Sequence, residues 1–87
     1  MEIVYSEESQ KDVLYWKKSG NQIIQKKIQQ LINAISEDPF SGIGKPEQLK
    51  HDLTGLWSRR INQEHRIVYE ILEAENRIKI HSLKGHY

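Results

Sequence analysis

The sequence predicts an α+β fold of order β-α-α-β-β-β, in which two helices pack on one face of an antiparallel-rich sheet. Three observations lead there. Ile24, Ile28, Leu31 and Ile35 recur at spacings of four, three and four, which draws one apolar stripe along a helix. Three β-like runs, Trp57 to Ile61, His65 to Leu72 and Arg77 to Leu83, follow one another with short separators, as an antiparallel meander does. Finally, 87 residues and 10.3 kDa suffice for one domain over 1–87 and not for two, since each would need its own core.

Taken in order, Ile3, Val4 and Tyr5 form a short β-prone run, and Ser6 follows as a helix N-cap with Glu7 and Glu8 in the favourable first turn. Val13, Leu14 and Trp16 supply the apolar patch of the first helix, which Gly20 closes as a left-handed stop. Asn21 caps the second helix, and Asp38-Pro39 ends it, because a residue before proline is pushed out of helical geometry. From Pro39 to Leu56 no period is sustained, and connections this long in small domains are usually functional.

Period two sorts the meander by face. Ile67, Tyr69, Ile71, Ile78 and Ile80 turn towards the helices, and Arg59 shares the side of Trp57 and Ile61. Ser58, Val68 and Glu70 turn to the open face, where Arg60, Arg66, Arg77, Lys79 and His81 gather. Such a cationic surface is a footprint for phosphate.

Composition points the same way. Residues 1–44 carry five Lys against six acids, whereas 45–87 carry eight Lys and Arg against six acids, including every Arg and every His. The chemistry is therefore expected after residue 44. Cysteine is absent, which excludes disulfides, thiolate metal sites and a cysteine nucleophile, and fits the cytoplasm. The opening residues show neither a basic n-region nor a long apolar run, so neither a signal peptide nor a membrane span is expected. Gly42-Ile43-Gly44-Lys45 is no phosphate loop, since Pro39 replaces the first glycine of that motif and Pro46 the Mg²⁺-binding hydroxyl. There is no Gly-x-Ser-x-Gly elbow and no helix-face histidine pair, and neither a metal nor any other cofactor is expected.

What remains is Lys45-Pro46-Glu47 with Lys50 and His51, then Trp57-Ser58-Arg59-Arg60-Ile61, His65-Arg66-Ile67-Val68-Tyr69, and the ending Gly85-His86-Tyr87. In that order, and with Tyr-Ser-Glu-Glu-Ser near the start, these segments resemble the YoeB (Txe) family of toxins, a branch of the RelE-like mRNA interferases, along essentially the whole chain. The resemblance implies a RelE-like fold related to microbial ribonucleases. It further implies a ribosome-dependent endoribonuclease that cuts mRNA in the A site, is silenced by an acidic, partly disordered, YefM-like antitoxin, and in relatives can dimerise. Carried over by position, it puts the catalytic carboxylate on Glu47, the phosphate-binding arginine on Arg66, the terminal acid and aromatic on His86 and Tyr87, and RNA-holding cations on Lys50 and Arg60. Asp52 departs from the pattern, standing where relatives often have Asn.

The roles make chemical sense. RNA brings its own nucleophile, the 2′-hydroxyl, so a metal-free nuclease needs a base for that proton, a cation for the crowded phosphate and an acid for the departing 5′-oxygen. Glu47, Arg66 and His86 are one candidate for each, and Tyr87 could position the phosphate or stack on a base. Without the resemblance, Glu47 reads as a solvated loop carboxylate, Arg66 as an ordinary strand charge and the last two residues as a frayed end. A non-enzymatic RelE- or ParE-like toxin, or a module that only binds RNA or the ribosome, is the alternative. With only Lys84 and Gly85 after the last strand, the tail is expected to bring His86 near Arg66, with Gly85 permitting the turn.

Overall fold

Ser6 ends the first strand and starts the first helix: its Oγ accepts from the Ser9 amide at 3.1 Å and donates to the carbonyl of His81 at 2.9 Å. Asn21 does the same for the second helix, its Oδ1 accepting from the Ile24 amide at 3.1 Å. Gly20, with φ of 71°, separates the two, and Asp38 is the C-cap of the second. A computed structural model, describing residues 1–85, thus begins β1 (Glu2–Tyr5), α1 (Glu7–Ser19) and α2 (Gln22–Glu37). It continues through β2 (Glu47–Gln48), β3 (Leu56–Arg60), β4 (Arg66–Leu72) and β5 (Arg77–Ser82), with 3-10 turns at His51–Leu53 and Glu73–Glu75.

The sheet order is β1-β5-β4-β3-β2. The meander β3-β4-β5 is antiparallel as expected, and β1 joins it in parallel along β5, with Ile3 opposite Ile78 and Tyr5 opposite Ile80. Two helices are packed against this mixed sheet. Ile24, Ile28, Leu31 and Ile35 form the stripe, joined by Ile32, and they meet Ile67, Tyr69, Ile78, Ile80 and Leu83 in one core. Burying an aliphatic side chain of this kind contributes roughly 1.5–3 kcal/mol, so this seam is the main adhesive between layers. No described helix is long and apolar enough to cross a membrane.

Three local expectations change. Of the α1 patch only Trp16 is buried, and Leu14 is 55% exposed, because α1 turns a narrow edge to the sheet. The stretch from Pro39 to Leu56 is not wholly irregular. Glu47 and Gln48 pair with Ser58 and Trp57, forming an edge strand too short to leave a period in the sequence. Ser58 and Val68 do lie on the face away from the core cluster, yet both are buried, at 0% and 1% exposure. Opposite each other in register, they sit under the side chains of that face.

The segment before β2 is held by one buried cation. Arg59, fully buried, donates from Nη2 to the carbonyls of Asp38 (2.7 Å) and Ser41 (2.9 Å), from Nη1 to that of Ile43 (3.1 Å) and from Nε to the Tyr69 hydroxyl (3.1 Å). Tyr69 in turn donates to the carbonyl of Pro39 at 2.8 Å, and burial pushes its phenol up. Gly44 completes the turn with φ of 85°. A Cβ there would lie 2.7 Å from Leu31 Cδ2, so both its conformation and its space require glycine.

Replacing Arg59 by Lys keeps the charge and loses the planar fork, leaving several carbonyls unmatched. A stability loss of about 2–4 kcal/mol is expected, read as a lower urea midpoint at unchanged slope. Asp38 carries a second, pH-dependent part of the same turn. The Ser41 hydroxyl first, then the Phe40 amide, holds its carboxyl below the ordinary value of 3.8. A lowered folded-state value means stability that is present above the unfolded value and lost as pH falls through the folded one. Asp38→Asn should therefore flatten the acid side of a stability-against-pH curve measured below about pH 5, while a parallel downward offset would reject this account.

Candidate active site

The short pairing of β2 decides where Glu47 stands. Its Cα partner is Ser58, and Ser58 is in turn opposite Val68, two residues along β4 from Arg66. Arg66, the first residue of β4, reaches back across β3 on the open face. Its Nη1 lies 3.3 Å from Glu47 Oε1 and 3.2 Å from Ser58 Oγ. Two of the residues singled out in the sequence, separated by 19 positions, thus meet as an ion pair.

The two partners differ in exposure, and the difference matters. The side chain of Arg66 is 20% exposed and that of Glu47 58%. The guanidinium is sheltered from water and screened less, whereas the carboxylate sits at the rim, on an edge strand, free to move towards solvent. The contact is single rather than forked, and among the described residues no group accepts from the other guanidinium nitrogens. Among the described residues the cation thus has donors left that an anion such as a phosphate could accept.

Arg60 is the register partner of Arg66 and leaves the pleat on the same side. It is exposed, at the margin of a shallow depression with Lys27, Lys45 and the Asn62 and Gln63 side chains. Lys50 is exposed just before the 3-10 turn that carries Asp52. Neither touches the Glu47–Arg66 pair through any hydrogen bond of the described residues. His86 and Tyr87 lie outside the described residues. Gly85, immediately before them, takes a φ of 89° and accepts at its carbonyl from the Arg66 amide at 2.8 Å.

The rest of the open face is less bare than its arginines suggested. Arg77 pairs with Glu2 (2.8 Å) and Glu75 (3.7 Å), and His81 Nε2 lies 2.9 Å from Glu70 Oε1. Among the described residues Arg77 and His81 are thus matched internally, as Arg66 is by Glu47, whereas Arg60, Lys50 and Lys79 form no ion pair. Sequence reasoning missed Ser58 as the hydroxyl beneath Arg66. The period-two reading did place it on the open face, which was the usable signal. Among the described residues no three His, Asp or Glu side chains group as metal ligands would.

Since Glu47 is more than half exposed, the pair should be weak. A double-mutant cycle on Glu47→Ala and Arg66→Ala, read by urea denaturation, is expected to give a coupling of about 0.5 kcal/mol that shrinks with added salt. A coupling above about 2 kcal/mol would make the pair a structural lock rather than an openable site.

Comparison with known proteins gives the family. The family model of the YoeB-like toxin of bacterial type II toxin-antitoxin systems matches residues 5–87. Toxin YoeB of Escherichia coli K12 is 46% identical over 87 residues, covering both chains completely. Among solved structures, a YoeB/ParE toxin from Agrobacterium tumefaciens superposes with a TM-score of 0.93 at 38% identity, again over the whole of both chains. YoeB of Staphylococcus aureus, solved as a dimer, gives 0.87 at 43% identity over 100% of this chain and 98% of that one. Its YoeB–YefM complex gives 0.86 at 44% with the same coverage. With the fold, the motifs and a full-length match in agreement, the chain belongs to the YoeB-like toxins of bacterial type II toxin-antitoxin systems.

Proposed function

We infer that this toxin is a ribosome-dependent endoribonuclease that inhibits translation by cutting mRNA in the A site. The observation that carries the reading is the meeting of a carboxylate and a sheltered guanidinium across β2, β3 and β4, at 3.3 Å, with guanidinium donors unmatched among the described residues. A protein that only bound RNA would need the cations and not the acid between them.

In this reading a phosphate of the mRNA takes the place of Glu47 against Arg66. Glu47, displaced towards the rim, accepts the proton of the adjacent 2′-hydroxyl, and O2′ attacks phosphorus. Charge accumulates on the non-bridging oxygens, where Arg66 is aimed and little reorganisation is needed. The bond to the 5′-oxygen breaks as His86 supplies its proton, leaving a 2′,3′-cyclic phosphate and a free 5′-hydroxyl. At neutral pH an ordinary carboxyl is ionised and an ordinary imidazole partly protonated, so base and acid are divided in the right sense. Tyr87 positions the phosphate or stacks on a base. Lys50 and Arg60 hold the RNA on either side.

The partners follow from the same surface. An acidic, partly disordered antitoxin of the YefM kind would neutralise the cations around Arg66 and fold as it binds. The dimer of the Staphylococcus aureus relative supports a homodimer here as well. Ribosomes and mRNA place the activity in the cytoplasm.

Purified translation with primer extension on the mRNA tests the reading. Arg66→Ala is expected to lower single-turnover cleavage by about a hundredfold or more while ribosome affinity changes only a few-fold. Deleting His86 and Tyr87 should lower cleavage comparably, with the melting temperature nearly unchanged because every residue of the described core cluster is retained. Cleavage by the shortened chain at the full-length rate would remove His86 from the acid's role, and equal losses of rate and affinity in Arg66→Ala would make it a docking residue.

A further inference from the structure

Backbone beyond the last strand of a small domain ordinarily frays, since few groups hold it. Here it is pinned. Leu83 donates its amide to Asp12 Oδ2 at 2.8 Å, and its carbonyl accepts from Trp16 Nε1 at 2.9 Å. Gly85 donates its amide to His65 Nδ1 at 3.0 Å, and its carbonyl accepts from the Arg66 amide at 2.8 Å. Both polar backbone groups of both residues are thus occupied, three of the four by side chains from distant parts of the chain. Asp12 and Trp16 are buried on α1, and the Trp16 ring meets the His65 ring edge-on, with centroids 4.9 Å apart. The partners form a continuous path from α1 through Trp16 and His65 to Gly85, beside Arg66.

His65 is the informative member. It precedes β4 with its side chain 17% exposed, and besides packing its ring on Trp16 of the core cluster it makes one directed contact to the backbone past β5. Because an amide N–H points at Nδ1, that nitrogen must carry a lone pair, which requires the neutral ring with its proton on Nε2. The neighbouring Glu64 Oε2, 3.6 Å from Nε2, is too far for a strong hydrogen bond and is 81% exposed.

We propose that Asp12, Trp16 and His65 form a clamp that positions the C-terminal segment for the reaction, with His65 Nδ1 as the element that fixes Gly85 against Arg66. The clamp rests on the reading that His86 supplies the leaving-group proton. It adds that the accuracy of that delivery is set by residues that touch neither RNA nor phosphate. Misplacing a reacting group by about an ångström costs on the order of a hundredfold in rate, so a lost anchor should register in cleavage before it registers in folding.

The test uses the full-length chain with His65→Ala, His65→Gln and His65→Asn. Asn offers an acceptor oxygen close to the place of Nδ1, Gln moves it outward towards the place of Nε2, and Ala removes it. Single-turnover cleavage on programmed ribosomes, ribosome affinity and the melting temperature are measured for each. Ala and Gln are expected to cleave about ten- to a hundredfold more slowly with affinity within about threefold, while Asn stays within about threefold of the parent rate. Adding His65→Ala to the chain that lacks residues 86 and 87 should cause no further loss, since the clamp then has nothing to position. The proposal is overturned if Ala cleaves at the parent rate, if Asn falls as far as Ala, or if the loss persists in the shortened chain. If the shortened chain itself cleaves normally, the role given to His86 fails first. If shortening abolishes cleavage and His65→Ala does not affect it, only the clamp fails.

Discussion

A buried guanidinium with no carboxylate in hydrogen-bond contact among the described residues is the constraint on which the rest of the site depends. Arg59 is solvated by three carbonyl dipoles of residues 38–43 and by one phenol, an arrangement that substitutes protein dipoles for lost water. Its fork reaches both the end of α2 and the turn that follows, so the loop cannot lift without exposing unmatched donors. The same grip ties the loop to β3 and, through Tyr69, to β4. The edge strand β2 begins only a few residues later, and its register delivers Glu47 opposite Ser58. A structural arginine thus sets the position of the candidate site's carboxylate without touching it.

The two adjacent arginines of β3 show how period two divides labour within one motif. Arg59 points into the helix side and is consumed by the fold, whereas Arg60 leaves on the other side and stays exposed. Arg66 is intermediate: sheltered enough to keep its field, open enough to accept a ligand. Exchanging its partner would involve only a weak, half-exposed ion pair, which a phosphate can replace at little expense. Elsewhere on the sheet, Arg77 and His81 are matched by Glu2, Glu75 and Glu70. Internal pairing thus neutralises part of the basic face, while Lys79 on β5 forms no ion pair among the described residues.

The core and the candidate site occupy opposite sides of the same strands. The Ile-rich stripe of α2 and the inward residues of β4 and β5 form the core. The outward residues of β2, β3 and β4 carry the candidate site. The backbone just past β5 is brought beside it by bonds from α1 and from the start of β4, rather than by strand pairing.

Much of this was legible in the sequence by itself, because the signals are local. Caps at Ser6 and Asn21, the stop at Gly20, the break at Asp38-Pro39, the stripe of α2 and the alternation along β4 each involve residues within a few positions, and local physics decides them. The motif residues Glu47 and Arg66 could be named, as could the face on which Arg66 and Ser58 stand. Only the tertiary structure decided which of these groups meet. A two-residue strand has no period, so the pairing of Glu47 with Ser58 comes from the loop that Arg59 holds. The parallel seating of β1 on β5 and the bonds from Asp12, Trp16 and His65 to residues 83 and 85 join positions 20 to 75 residues apart, and the burial of Arg59 and Ser58 was decided by the same closure. Contacts at such separations are set by how the helices and the sheet close on one core, and composition and spacing do not encode that closure one residue at a time.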